Sequence, residues 1–290
     1  MQRRPVNSID RWDGAAYRRV LVIDETPVSL SMSQASGPDG ALSISLPGGR
    51  PDRKTASAIR RAVERALGLH VDLSDFYRLA LRDRKLAPLA DRFRGMKPPR
   101  FFSAFEGLVN GIACQQLSLS VGIQLLNRLA KRFGLGVPER DSISYAFPRP
   151  RELAGATPET IRKLGFNFNK ARSLVEISRA IVEGRLDLEN LQAASDEEAL
   201  ETLLGLRGVG RWTAEYTLLR GFGRWHIFPV DDQGARNGLA RWLRLRRPLD
   251  APRARRVLAR WQPYGGMIYF YMLMNGLSEA GYLGRVLKED

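Results

Sequence analysis

Strict alternation of apolar and polar residues is confined to an early stretch of this chain. Between residues 17 and 46 three short runs, YRRVLVID, PVSLSMSQ and ALSISLPGG, are separated by turn-forming Pro, Gly and Asp. The last two alternate residue by residue, which predicts a small antiparallel sheet with one wet face. RKTASAIRRAVERALGL, 53–69, then sets Ala56, Ile59, Val63, Ala66 and Leu67 at helical spacing, so one helix can cover that sheet. The stretch 83–102 mixes basic residues with Pro88, Pro98 and Pro99, and a domain boundary is placed there, giving 1–95 and 96–290. Beyond it the pattern is helical: two stretches in 104–134 around the break Gln115-Gln116-Leu117-Ser118, then 157–184, 196–204, 211–222, 233–245, 252–261 and 267–281. The expected fold is mostly α with a small N-terminal α+β domain.

The charge balance says what such a fold meets. Lys and Arg number 46 against 31 Asp and Glu, a formal net charge of +15, so the surface field favours an anionic partner, with nucleic acid foremost. A merely solubilising basic surface is the competing explanation. Cys114 is the only cysteine and His70 and His226 the only histidines, which excludes an internal disulfide and any metal centre built on cysteine or histidine clusters. A single thiol suits a reducing cytoplasm. No apolar run approaches the roughly 20 residues needed to span a bilayer, and MQRRPVNSIDRWDG lacks the apolar core of a signal peptide.

LRGVGRWTAEYTLLRGFGRWHIFPVDDQG, 206–234, concentrates the chemistry. Gly208 and Gly210 allow a tight reversal and close backbone approach. The helix beginning near Trp212 presents unpaired N–H groups at its positive end, a setting for a phosphate oxygen, and Arg207 and Arg211 flank the turn. An ordinary helical hairpin is the favoured explanation of Gly-Val-Gly taken alone, and the downstream aspartates weigh against it. The helix spans roughly 16 Å and the following loop can return that distance, so a carboxylate at Asp231 or Asp232 can reach the face that carries the turn. One aspartate suffices to cap the helix after Asp232; a second, held ionised, can stabilise positive charge on a substrate or orient water. Without a nucleophilic cysteine or a metal, a lone carboxylate suits a bond that is already weak, such as the sugar–base bond of an alkylated nucleoside with its oxocarbenium-like transition state. Two solvated capping residues remain the alternative.

At these residues the chain resembles the helix-hairpin-helix DNA glycosylase superfamily, and within it the AlkA-type alkylated-base glycosylases. The similarity rests on LRGVGRWTAEYTLLRG, FPVDDQG, GLVNGIACQQLSLSVGIQLLNRLAKRFG at 107–134, and RWQPYGG with the aromatic helix after it, and is clearest from about 95 to 281. It implies an active-site cleft between two helical subdomains, with Asp232 as the catalytic carboxylate and Asp231 as its structural partner. Bifunctional members carry lysine where this chain has Trp212, so the resemblance implies an enzyme that leaves an abasic site. Trp212 and Tyr216, one turn apart, match positions that contact the flipped base, though either can be core. Leu273 stands where alkylated-base enzymes commonly have tryptophan, so Tyr269 or Tyr271 is expected to take over the stacking. Gln116 and Leu117 occupy the break from which such enzymes fill the gap left by the base; Gln116 matches the wedge position best and can equally be a capping amide. The hairpin is similar to those that hold a monovalent cation, Na+ or K+, through backbone carbonyls, here of Leu204, Leu206 and Val209.

The implied function is a monofunctional glycosylase excising alkylated purines (3-methyladenine, 7-methylguanine) from double-stranded DNA, acting as a cytoplasmic monomer without an organic cofactor. Two rivals are a glycosylase for oxidised or deaminated bases and a DNA-structure-binding protein that has kept the hairpin and lost catalysis.

Overall fold

The structure, a computed structural model, describes residues 5–35 and 40–281. Four strands, β1 (Arg11–Trp12), β2 (Tyr17–Ile23), β3 (Thr26–Gln34) and β4 (Leu42–Ser45), form an antiparallel sheet in chain order. Tyr17 lies opposite Met32 and Arg19 opposite Leu30, so one face carries Tyr17, Leu21, Leu30 and Met32. Helix α1 (Arg53–Leu67) lays Ile59 and Val63 on that face and closes a small core. Its start is set by Asp52, which accepts from Thr55 N at 2.8 Å. Ala56, expected on the inner face, is exposed in the first turn. Arg19 is buried within the sheet and reaches out of it, pairing with Asp10 at 2.5 Å and with Glu106 of the next domain at 2.6 Å.

The remaining elements are α2 (Ser74–Arg82), α3 (Ala87–Arg92), α4 (Ala104–Cys114), α5 (Leu119–Phe133), a hairpin of β5 (Gly136–Pro138) and β6 (Ile143–Tyr145), α6 (Pro150–Ala154), α7 (Pro158–Arg162), α8 (Phe168–Val182), α9 (Leu188–Ala193), α10 (Asp196–Leu204), α11 (Arg211–Arg220), α12 (Gln233–Trp242), α13 (Ala251–Leu258), a 3-10 turn at Ala259–Trp261, and α14 (Gly265–Glu279). The segment 157–184 is two helices, α7 and α8, interrupted before Asn167, whose side chain caps α8 by accepting from Lys170 N. With the small sheet, this is the mostly helical fold expected from the sequence.

The helices enclose two cores. One gathers Leu108, Ile112, Leu129, Leu174, Leu203 and Leu218, from α4, α5, α8, α10 and α11. The other gathers Phe76, Leu86, Leu239, Trp261 and Tyr271, from α2, α3, α12, the 3-10 turn and α14. Helix α11 stands between them: Leu218 belongs to the first core and its neighbour Leu219 to the second. Its residues from Thr213 to Arg220 are all buried, as a helix covered on every side must be. A boundary at residue 95 would cut the second core, because Phe76 of α2 and Leu89 of α3 share it with Leu239, Leu258 and Tyr271 of α12–α14. Prolines in 83–102 end helices, but the apolar faces between them decide the packing.

Candidate active site

The turn between α10 and α11 is closed by Val209 N donating to Leu206 O at 3.1 Å. Gly208 has φ +75, and a Cβ there would overlap the hydroxyl of Ser173 on α8. Gly210 differs from expectation: its φ is −90 and ψ 175, ordinary extended backbone, and a Cβ would meet nothing within 4 Å. Glycine at 210 is not required by conformation; it leaves open ground in front of the helix. Helix α11, like α2, α3 and α14, has no side chain accepting from a first-turn N–H, and its N-terminal residues Arg211, Trp212 and Thr213 line the cleft. Its orphan donors and dipole therefore face the cleft available to an anion.

That cleft, about 1260 Å³, separates the two cores and is lined by the α4–α5 break, the hairpin, Trp212, Tyr216, Asp232 and Tyr269 among others. Asp232 is the N-cap of α12, with Oδ1 accepting from Ala235 N at 2.8 Å. Its other oxygen, Oδ2, accepts from Trp212 Nε1 at 3.1 Å and, at 3.5 Å, from the hydroxyl of Tyr269. The loop 221–231 has thus returned the aspartate to the first turn of α11. Three donors converge on one carboxylate, the complement of an anion. Burial, with the Asp232 carboxylate beside it, pushes the Tyr269 phenol well above its ordinary range, so it stays a donor. Asp231 is exposed on the cleft wall and is not the cap.

Trp212 and Tyr216 stack at 5.3 Å between ring centroids and 22° between planes, and both line the cleft. Leu273 lines it too, exposed one turn beyond Tyr269. Tyr271 does not. Two residues on from Tyr269, it points about 200° round α14, fully buried, with its ring 5.2 Å from Phe76 and its hydroxyl 3.4 Å from Tyr77. It belongs to the second core, where a tyrosine between two cleft positions must go.

Gln116, φ +55, and Leu117, 42% exposed, stand at the cleft rim between α4 and α5. The side chain that caps a helix in that break is Ser118, accepting from Val121 N at 3.3 Å, while Gln115 Nε2 donates to Gly208 O at 2.8 Å and Thr213 Oγ1 at 2.7 Å, tying the break to the hairpin. From the opposite side Lys170 Nζ donates to the carbonyls of Ala113 and Gln115 at 3.1 and 2.6 Å, and burial holds its pKa below the usual lysine value. The sequence singled out neither residue's role; an isolated lysine in an amphipathic helix looks like a solvated one. Glu215, also unforeseen, is 6% exposed and accepts from Arg211 Nε at 3.0 Å and from Val230 N at 3.0 Å, so it joins α11 to the aspartate loop. Desolvation raises its pKa. Arg207 and Arg211 flank the turn as expected, but each is bound to a glutamate, Glu176 and Glu215, and Arg207 lies outside the cleft lining. Among the described residues no cluster of His, Cys, Asp or Glu could hold a metal ion, and no helix is long and apolar enough to cross a membrane.

This architecture is that of a family of repair proteins. The HhH-GPD superfamily base excision DNA repair protein family matches residues 109–263, and the chain belongs to it. YfjP of Bacillus subtilis, whose name provisionally makes it a DNA-3-methyladenine glycosylase, is 28% identical over 272 residues, covering 92% of this chain and 90% of that one. The 3-methyladenine DNA-glycosylase of Archaeoglobus fulgidus superposes with a TM-score of 0.81 at 29% identity, covering 92% of this chain and 89% of that one. The 8-oxoguanine glycosylase/lyase of Clostridium acetobutylicum, in complex with double-stranded DNA, shares the fold at a TM-score of 0.74 and 18% identity, covering 93% of this chain and 87% of that one.

Proposed function

We propose that this protein is a monofunctional DNA glycosylase that hydrolyses the N-glycosidic bond of alkylated purines, 3-methyladenine and 7-methylguanine, in double-stranded DNA. The observation that carries the reading is the place of Asp232: one oxygen caps α12, and the other lies in the cleft beside the Trp212–Tyr216 stack, at the uncapped end of α11. In this reading a strand phosphate sits on the N–H groups of α11, with Gly208 and Gly210 letting the backbone come close and Arg211 at its edge. The flipped base enters the cleft against Trp212, Tyr216 and Tyr269, with Leu273 at the mouth, and Gln116 and Leu117 fill the space it vacates. As the bond from C1′ to the base breaks, its electron pair leaves with the base and Asp232 stabilises the positive sugar. Water then adds to C1′ and its proton passes to solvent, while the base, cationic in the nucleotide, leaves neutral. The name of the Archaeoglobus relative supports the choice of alkylated bases.

Leu204, Leu206 and Val209 line one rim of the cleft, Leu204 ending α10, and in this reading their backbone carbonyls hold a monovalent cation. An all-oxygen donor set beside a helix C-terminus fits a monovalent cation, which would add positive charge next to the phosphate. Leu206 O already accepts one N–H and offers its second lone pair.

Duplexes carrying one 3-methyladenine, 7-methylguanine, 8-oxoguanine or uracil each, incubated with excess protein, test the reading by the bases released. Release of the methylated purines is expected; release of 8-oxoguanine or uracil alone would replace it with the oxidised or deaminated alternative. No strand cleavage without alkali is expected, because Trp212 stands where a Schiff-base lysine is needed. Lys170 is the lysine of the cleft lining, and its ammonium is committed to two carbonyls. A borohydride-trapped DNA adduct that disappears in Lys170→Met would refute the monofunctional assignment.

A further inference from the structure

Helix α12 starts in the cleft, at Asp232, and ends in the most basic segment of the chain. From 241 to 256 the sequence holds Arg241, Arg244, Arg246, Arg247, Arg253, Arg255 and Arg256 against the single acid Asp250. Asp250 is committed to capping α13, accepting from Arg253 N at 2.8 Å. Arg241, Arg244, Arg246, Arg247, Arg255 and Arg256 are exposed. The arginines that flank the hairpin turn differ: Arg207 and Arg211 are each held by a glutamate. The two regions are joined along one helix face. Gly234, which lines the cleft, and Arg241 lie seven residues apart, two turns on the same side of α12, with exposed Asn237 between them. Buried Leu239 and Ala235 turn the opposite face to the core.

Resting on the reading of the cleft as a DNA glycosylase site, we propose that this arginine surface is a second DNA contact, which grips the backbone of the same duplex on one side of the flipped nucleotide. The ten residues of α12 span about 15 Å. At roughly 3.4 Å per base pair, that reach is about four to five base pairs from the lesion. The occupant is a phosphodiester backbone because the surface offers many exposed guanidinium groups, and a duplex seated in the cleft must continue past it in one direction. Hydrated phosphates spaced along a rod suit flexible exposed arginines, which need no pocket. This surface reads no sequence and adds nothing to the bond-breaking step; it sets affinity and footprint.

The test uses the full chain with Arg244, Arg246 and Arg247 changed together to Gln, and as control Arg53, Arg60 and Arg61 of α1, also exposed, changed to Gln. Binding to a 25-base-pair duplex with a central stable abasic analogue is measured across a salt series. Each phosphate contact contributes about 0.9 to the slope of log K against log salt, so the 244/246/247 variant should lose roughly 2–3 from that slope while the control keeps it. Single-turnover excision at saturating protein should be unchanged in both. With duplexes cut to three base pairs on one side or the other, the parental protein should lose affinity for only one of the two, and the variant for neither. A variant whose slope and flank dependence match the parent overturns the proposal, as does an equal slope loss in the control. If the parental protein neither binds nor cleaves lesion DNA, the reading of the cleft fails instead. Capture of an acidic protein with unchanged DNA slopes would assign the surface to a different partner and also overturn the proposal.

Discussion

Asp232→Asn is expected to lower single-turnover excision of 7-methylguanine by on the order of 10²–10³-fold or more, while DNA affinity stays near parental and the protein still folds. The substitution is nearly isosteric, and its outcome follows from which oxygen does what. Oδ1 caps α12 through Ala235 N at 2.8 Å, and asparagine caps as well as aspartate; its NH2 group then meets the indole N–H of Trp212 donor to donor, so stability should fall by on the order of 1 kcal/mol. Oδ2 takes the indole N–H of Trp212 and faces the hydroxyl of Tyr269. An amide there retains the shape and removes the negative charge that an oxocarbenium-like sugar requires. Asp231→Asn is the internal contrast: that side chain is exposed and does not cap α12, and its excision rate should stay within a few-fold of parental. Rates read on pre-bound substrate, with an abasic-analogue Kd beside them, separate chemistry from binding. An Asp232→Asn enzyme within tenfold of parental would remove this carboxylate from the reaction.

Much of this arrangement was legible in the chain, and the parts that were not share a physical reason. Period-2 alternation gave β3 and β4, and helical spacing with Gly and Pro punctuation gave most helices within a few residues. Asp196–Leu204 coincides with the expected range, because Ser195 caps one end and Gly205 stops the other. The juxtaposition of hairpin and aspartate followed from helix length and loop length. Packing partners did not follow. Nothing in 74–92 says that Phe76 and Leu86 meet Leu239 and Tyr271 more than 150 residues later, so a core with members on both sides of residue 95 was not foreseen. The same limit hid Lys170, Gln115 and Glu215: each bonds residues 15 to 98 positions away or a carbonyl that any residue could supply. Tyr271 shows the converse. The resemblance put forward Tyr269 or Tyr271 as the stacking ring, but the 100° step of the helix lets Tyr269 and Leu273, one turn apart, face the cleft and turns Tyr271 away.

Gly208 and Gly210, equivalent in sequence, should fail in different ways when each is replaced by alanine. At 208 the backbone is left-handed, φ +75, which costs an L-residue about 1–2 kcal/mol. The new methyl also meets Ser173, which is fully buried on α8 and whose hydroxyl is already bonded to Asn169 O at 2.8 Å. Gly208→Ala should therefore lower the melting temperature by several degrees and displace the turn, losing DNA affinity and, with it, the bond from Gln115 Nε2 to Gly208 O that holds the α4–α5 break. At 210 the backbone is ordinary and the space in front is open. Gly210→Ala should melt with the parent, yet bind DNA at least about tenfold more weakly, about 1.4 kcal/mol, because its methyl stands where a phosphate oxygen must approach the N–H groups of α11. Thermal melts alongside abasic-DNA titrations of the two variants decide the matter. Parental affinity in a stable Gly210→Ala protein would mean that no phosphate reaches this helix end, and the strand would have to be held elsewhere along the cleft.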